Sequence, residues 1–218
     1  MIPRVVRLAV LISGTGRTLA HLASEIRAGR LDARIAGVLS TRAGAYGLVR
    51  ARRLGLKSRT VSKSDFPTRR AFWEAVSAAL DRWRPGLVVM AGCTSYWRIP
   101  RRWAGRVVNI HPALLPAFGG KGCYGDRVHA QVLASRARTT GCTVHAVDNR
   151  YDHGPILAQA RVPVRRGDTV RTLAARVFVA ERRLYPAVLR RIASGGIRLP
   201  IRPTRQAPRR PRATSPSP

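Results

Sequence analysis

The chain has 218 residues, 45% of them hydrophobic, which suits one α/β domain with a sizeable core and excludes a disordered chain. No run of about eighteen apolar residues occurs, which excludes a helical membrane span, and three cysteines (Cys93, Cys123, Cys142) without CxxC or Cys/His spacing point to a reduced chain with no structural zinc. The formal net charge of +31 comes from 41 basic residues, of which only Lys57, Lys63 and Lys121 are lysines.

Leu8 to Ile12 is a continuous apolar run, as in a buried parallel strand. Residues 13–18 (Ser-Gly-Thr-Gly-Arg-Thr) form a turn, and Leu19 to Arg27 has a helical pattern. A strand is expected over Ile35–Leu39, a helix over Ala45–Arg53 and a short strand over Ser58–Val61. Phe66–Trp83 reads as a long amphipathic helix stopped by Pro85, followed by strands at Leu87–Met90 and Arg106–Ile110. This alternation implies a Rossmann-like α/β fold, a mostly parallel twisted sheet with helices on both faces. A long loop (Ala113–Gly125), a helix (Asp126–Ser135), two β segments (Gly141–Val147 and Ile156–Val162) and a helix (Thr169–Ala193) follow, with Asp168 expected to cap the last. Residues 1–199 are thus expected to form one domain. Residues 200–218, rich in Arg and Pro, have no apolar pattern and read as a disordered basic tail. The N-terminal residues run into the first strand without the apolar stretch of a secretory signal, so a cytoplasmic location is expected.

Three loops carry groups suited to chemistry. The Gly14-Thr15-Gly16-Arg17-Thr18 loop reads either as a plain strand–helix turn or as a backbone cradle for an anion at a helix start. It is neither a dinucleotide fingerprint, since Leu19 stands where the third glycine would be, nor a Walker loop. Asn109 and His111 sit two apart at a strand end, so both side chains fall on one side. Alone they are either a capping amide and a core histidine or a catalytic pair. Asp152, before Gly154-Pro155, is either a turn residue or the partner of that pair. His145, in mid-strand, reads as a packed, hydrogen-bonded histidine. Only ten residues are acidic, and Asp148, Asp152 and Glu181 fall in segments that border the expected site. An amide donor, an imidazole and a carboxylate are the parts needed to move an acyl group onto an amine.

Taken together, these residues resemble the folate-dependent formyltransferases, and among them the phosphoribosylglycinamide formyltransferases. The resemblance spans roughly residues 5–195. It rests on Leu11-Ile12-Ser13-Gly14-Thr15-Gly16, Ala45-Tyr46-Gly47-Leu48 with Arg50-Ala51, and Val89-Met90-Ala91-Gly92. It continues through Asn109-Ile110-His111-Pro112-Ala113-Leu114-Leu115-Pro116, Gly141-Cys142-Thr143-Val144-His145, Asp152-His153-Gly154-Pro155-Ile156, and Glu181 with Tyr185-Pro186. It implies Asn109, His111 and Asp152 as catalytic residues. Gly14, Thr15, Gly16, Arg17, Thr18 and Glu181 would hold a phosphoribosylglycinamide acceptor. Arg69, Thr94, Ser95, Tyr96, Trp97, Asn109, Asp148 and Asp152 would face 10-formyltetrahydrofolate as co-substrate, and no metal is implied. Expected partners are small molecules, with the chain a monomer or homodimer and no membrane association.

Two segments depart from the family pattern. The loop usually reads Gly-Asn-Gly-Ser-Asn, but here two asparagines are gone and Arg17 brings a charge. Cys93-Thr94-Ser95-Tyr96-Trp97 replaces a Met-Arg-hydrophobic pattern on the folate side. The rivals fit less well. The tRNA-directed member of the family would need a further C-terminal β domain, the formyltetrahydrofolate hydrolases an extra N-terminal one, and the sugar-nucleotide members lack the Gly loop. A nucleic-acid-binding protein would suit the charge, but it has no chemical need for Asn109, His111, Asp152 and Glu181 together. Arginines spread along the whole chain read as compositional bias, so nucleic acid is not an expected partner.

Overall fold

The apolar runs of the sequence become the strands of one seven-stranded sheet. In a computed structural model, which describes residues 5–199, five strands run parallel: β1 (Val6–Ile12), β2 (Ala33–Ser40), β3 (Ser58–Thr60), β4 (Leu87–Met90) and β5 (Val107–His111). β6 (Thr139–Ala146) and β7 (Ile156–Pro163) are antiparallel. The order across the sheet is β3-β2-β1-β4-β5-β6-β7. The chain winds outward from β1 to β3, then returns to the other side of β1 for β4. The crevice between the C-terminal ends of β1 and β4 is therefore the switch point at which open sheets of this kind receive ligands.

Strand alternation divides the core between two faces. Leu8, Val89, Val108 and Ile110 pack with Leu22 of α1 (Arg17–Arg27), Val132 of α4 (Asp126–Ala134) and Leu173 and Val177 of α5 (Val170–Ala193). Ala9, Leu11, Val88 and Val107 face the other way, onto Phe72, Val76 and Leu80 of α3 (Arg69–Trp83). The smaller α2 (Tyr46–Arg53) packs through Ala51 against Val10 and Val38. The expected mostly parallel sheet with helices on both faces is what forms. Tyr185 of α5 is fully buried and donates its hydroxyl to the carbonyls of Met90 and Val108 at 3.0 and 3.1 Å. It thereby fastens the helix to the end of β4 and to β5 beside Asn109.

Two expectations need correction. The helix expected from Phe66 begins at Arg69, because a residue before proline is pushed out of the helical region and Phe66 is extended. Thr68 then caps the helix, accepting the Ala71 N–H at 3.1 Å. Asp168 does not cap α5. Thr169 does, in a reciprocal capping box with Thr172. Asp168 instead accepts a two-pronged contact from Arg176 at 2.7 and 2.8 Å, which with the Arg165 N–H holds its carboxyl well below the usual range. The expected basic tail lies outside the described residues. Among those described, no helix is long and apolar enough to cross a membrane.

Candidate active site

The loop after β1 is locked from several sides. The Ser13 hydroxyl lies 2.6 Å from that of Thr41 and accepts the Thr94 N–H at 3.0 Å, while the Ser13 N–H donates to the Gly92 carbonyl. The loop is thus tied to the segment after β4. Gly16, the N-cap of α1, has φ 71°, and a Cβ there would stand 2.5 Å from the Gly47 Cα. Only glycine fits such a position. No side chain caps α1 and no acid lies in its first turn. Helix starts without a capping side chain are places where anions bind in general.

Pairing of β5 with β6 builds the centre of the site. Asn109 stands opposite His145, and His111 opposite Thr143. The Asn109 amide donates to His145 Nε2 at 3.1 Å, and His145 Nδ1–H donates to the Ala146 carbonyl at 3.0 Å, so the partners assign the tautomer. Among the described residues the second N–H of Asn109 has no partner. Thr143 accepts the Leu115 N–H and donates to the Ala113 carbonyl, which pins the chain as it leaves His111.

Asp152 sits between the two imidazoles, 3.6 Å from His111 Nδ1 and 3.6 Å from His145 Nε2. It also accepts the Gly120 N–H at 3.0 Å. At φ 48° it is in the left-handed region, where an Asp is tolerated better than most residues. Its turn is held by Asp148, which accepts the Arg150 N–H and His153 Nδ1–H, and by paired hydrogen bonds between Asn149 and Ile99. Gly154 presses its backbone against the Ala146 carbonyl, leaving no room for a side chain.

Burial dominates the electrostatics of His111. It lowers the imidazole below its ordinary pKa despite the Asp152 carboxylate and the Phe118 carbonyl, which accepts Nε2–H at 2.8 Å. His111 is therefore neutral at pH 7, not a standing imidazolium, and its Nδ1 lone pair faces Asp152. Burial would raise Asp152, but His145, His111 and the Gly120 N–H outweigh it and keep the carboxyl below its ordinary value. Glu181 is pushed up to about 7 by burial, with Arg17 opposing.

One cavity of about 580 Å³ joins these parts, a volume in the range of small-molecule sites. Gly14 to Thr18, Glu181, Thr94 to Trp97 and Asp148 line it together with Asn109, His111 and Asp152. Arg69 is not brought in. It is the exposed first residue of α3, outside the lining, whereas Arg150 lines the cavity beside Tyr151. Trp97 is 3% exposed and donates to the Ser77 hydroxyl, so it is chiefly a core residue whose edge meets the cavity. Sequence reasoning read His145 as a packed, hydrogen-bonded histidine, and it is one, while its place between Asn109 and Asp152 depends on strand register. It missed Phe178, although the spacing of Ala174, Phe178 and Glu181 along α5 would mark one helical face. Among the described residues no group of His, Cys, Asp and Glu could hold a metal ion.

A carboxylate between two imidazoles, an amide and a glycine-bearing helix start around one cavity of a mostly parallel sheet form a site suited to group transfer. The chain belongs to the formyl transferase family, whose model matches residues 6–189. It is 34% identical over 197 residues to phosphoribosylglycinamide formyltransferase of Escherichia coli, covering 88% of this chain and 89% of that one. It is 40% identical over 199 residues to the trifunctional purine biosynthetic protein adenosine-3 of Bos taurus, covering 90% of this chain. It spans only 19% of the length of that larger relative. The crystal structure of glycinamide ribonucleotide transformylase 1 from Symbiobacterium toebii is similar at a TM-score of 0.82, with 41% identity and 87% and 88% of the two chains covered.

Proposed function

We propose that this protein transfers the formyl group of 10-formyltetrahydrofolate to the primary amine of N1-(5-phospho-D-ribosyl)glycinamide, a step of purine (IMP) biosynthesis. The observation that carries this reading is Asp152, 3.6 Å from each of two buried imidazoles in a cavity that the Gly14–Thr18 loop also lines. The names of the E. coli and S. toebii relatives agree with it.

The acceptor's phosphate would lie on Gly14 to Thr18, with Glu181 against its sugar or amide part. The donor would occupy the side of Thr94 to Trp97 and Asp148, with Arg150 rather than Arg69 near its carboxylate tail. The amine attacks the formyl carbon, forming a C–N bond as the carbonyl electrons move onto oxygen. The second Asn109 N–H stabilises that oxyanion. Asp152, directly or through one water, takes the proton released by the amine. His111 Nδ1 is the neighbouring acceptor for that proton, and the resulting imidazolium offsets the oxyanion charge. The tetrahedral intermediate then collapses by breaking the bond to the folate nitrogen, which regains a proton as it leaves. The apo separation of 3.6 Å exceeds a hydrogen bond; catalytic contacts of this kind commonly tighten on substrate binding.

The test is to mix purified protein with both substrates and follow the absorbance of the deformylated folate. Turnover is expected. No rate above background, with the protein shown to be folded, would refute the proposal.

A further inference from the structure

Arg17 begins α1 at the cavity wall, and its guanidinium lies 4.3 Å from the centre of the Phe178 ring. Among the described residues no carboxylate, carbonyl or hydroxyl holds that guanidinium by a hydrogen bond or ion pair. Among those residues the Phe178 ring is the one group that stacks on it. Its charge is nonetheless felt inside the cavity, where it opposes the effect of burial on Glu181 and disfavours protonation of His129. His129 is 5% exposed, lines the same cavity and leaves Nδ1 without a protein partner among the described residues.

Phe178 is an equally uncommitted residue. It is a large aromatic on α5, between Ala174 and Glu181 on the cavity face, yet it belongs to none of the three hydrophobic clusters. The ring is half-buried outside those clusters and offers Arg17 a platform. A guanidinium stacked on an aromatic face keeps its N–H edges free and loses the freedom of a long side chain. Planar N–H edges beside unpaired helix N–H groups match the oxygens of a phosphate.

We infer that Phe178 is a positioning residue for the acceptor, stacking Arg17 so that its guanidinium edge closes over the phosphate held by the Gly14–Gly16 backbone. This inference rests on the acceptor site proposed above. The ring touches no reacting atom, so it acts on acceptor affinity and leaves the chemical step alone.

Steady-state kinetics with both substrates test it. Arg17→Ala is expected to raise the acceptor KM on the order of tenfold or more, the scale of a lost charge-assisted hydrogen bond. Phe178→Leu is expected to raise it about two- to fivefold, the scale of an exposed cation–π contact. Neither should change kcat or the folate KM by more than about twofold, and Phe178→Trp should restore the acceptor KM. In the Arg17→Ala background Phe178→Leu should add nothing. Calorimetric titration of the protein and its variants with ribose 5-phosphate reads the same contact without turnover. An unchanged acceptor KM in Phe178→Leu, a fall in kcat instead, or full additivity with Arg17→Ala overturns the inference while the proposed activity stands. If wild-type protein shows no turnover, the activity falls. The titration then decides the inference alone: equal affinities in wild type and Phe178→Leu, or no binding by wild type, overturn it.

Discussion

Glu181 offers the most direct check on the electrostatics of the site. Burial moves its carboxyl from an ordinary 4.5 to about 7. In the unfolded chain the group loses its proton near 4.5, whereas the folded protein keeps it until about 7. Between those values the native state binds more protons, so stability falls as pH rises. The contribution is fully present below pH 4.5 and gone above about 7. Each pKa unit is worth about 1.4 kcal/mol, which makes the ceiling about 3 kcal/mol. Glu181→Gln keeps the shape and removes the charge. Urea unfolding of wild type and variant at pH 5 and pH 8.5 isolates this group, because other titrations cancel in the difference. The variant should gain about 2–3 kcal/mol on wild type between the two pH values. A difference that stays constant within about 0.5 kcal/mol would refute the assignment of a largely buried, proton-retaining carboxyl.

Further outcomes follow from the same geometry. Asp152→Asn should lower kcat by on the order of a hundredfold or more while the unfolding transition stays in place; unchanged turnover in the same assay would remove Asp152 from the mechanism. The acid limb of the kcat/KM profile should fall below pH 6.5, because His111 and Asp152 both sit below their ordinary values and activity needs both unprotonated; a pH-rate series would show it. Tyr185→Phe leaves the Met90 and Val108 carbonyls without their shared donor and should cost about 1–3 kcal/mol in urea unfolding.

The fold was largely legible because its signals are local. Apolar runs such as Leu8–Ile12 and Leu87–Met90, separated by helical periods, specify parallel strands whatever lies far away. Helix starts were less legible: the capping group of α5 shifted by one residue from Asp168 to Thr169, and that of α3 depended on how Pro67 constrains Phe66. Asn109, His111 and Asp152 were legible as candidates because a strand end and a Gly-Pro turn carry them, and all three line one cavity. The rest of the site depends on contacts between distant segments. His145 acquires its role only through a register that sets it opposite Asn109. Arg69 is exposed at the start of α3 and absent from the cavity lining, and the helical spacing that sets Phe178 with Ala174 and Glu181 does not say what that face meets.

The contact between Gly16 and Gly47 divides the acceptor loop into fixed and free positions. A Cβ on either glycine would meet the backbone of the other, whereas Gly14 has nothing within 4 Å of where a Cβ would stand. For an engineer this sorts a five-residue loop before any library is made. Randomising position 16 or 47 yields misfolded loops, while positions 14, 15, 17 and 18 can vary over an unchanged scaffold. Altered acceptor preference is to be sought at those four, with the two glycines left as the hinge pin on which the variants turn.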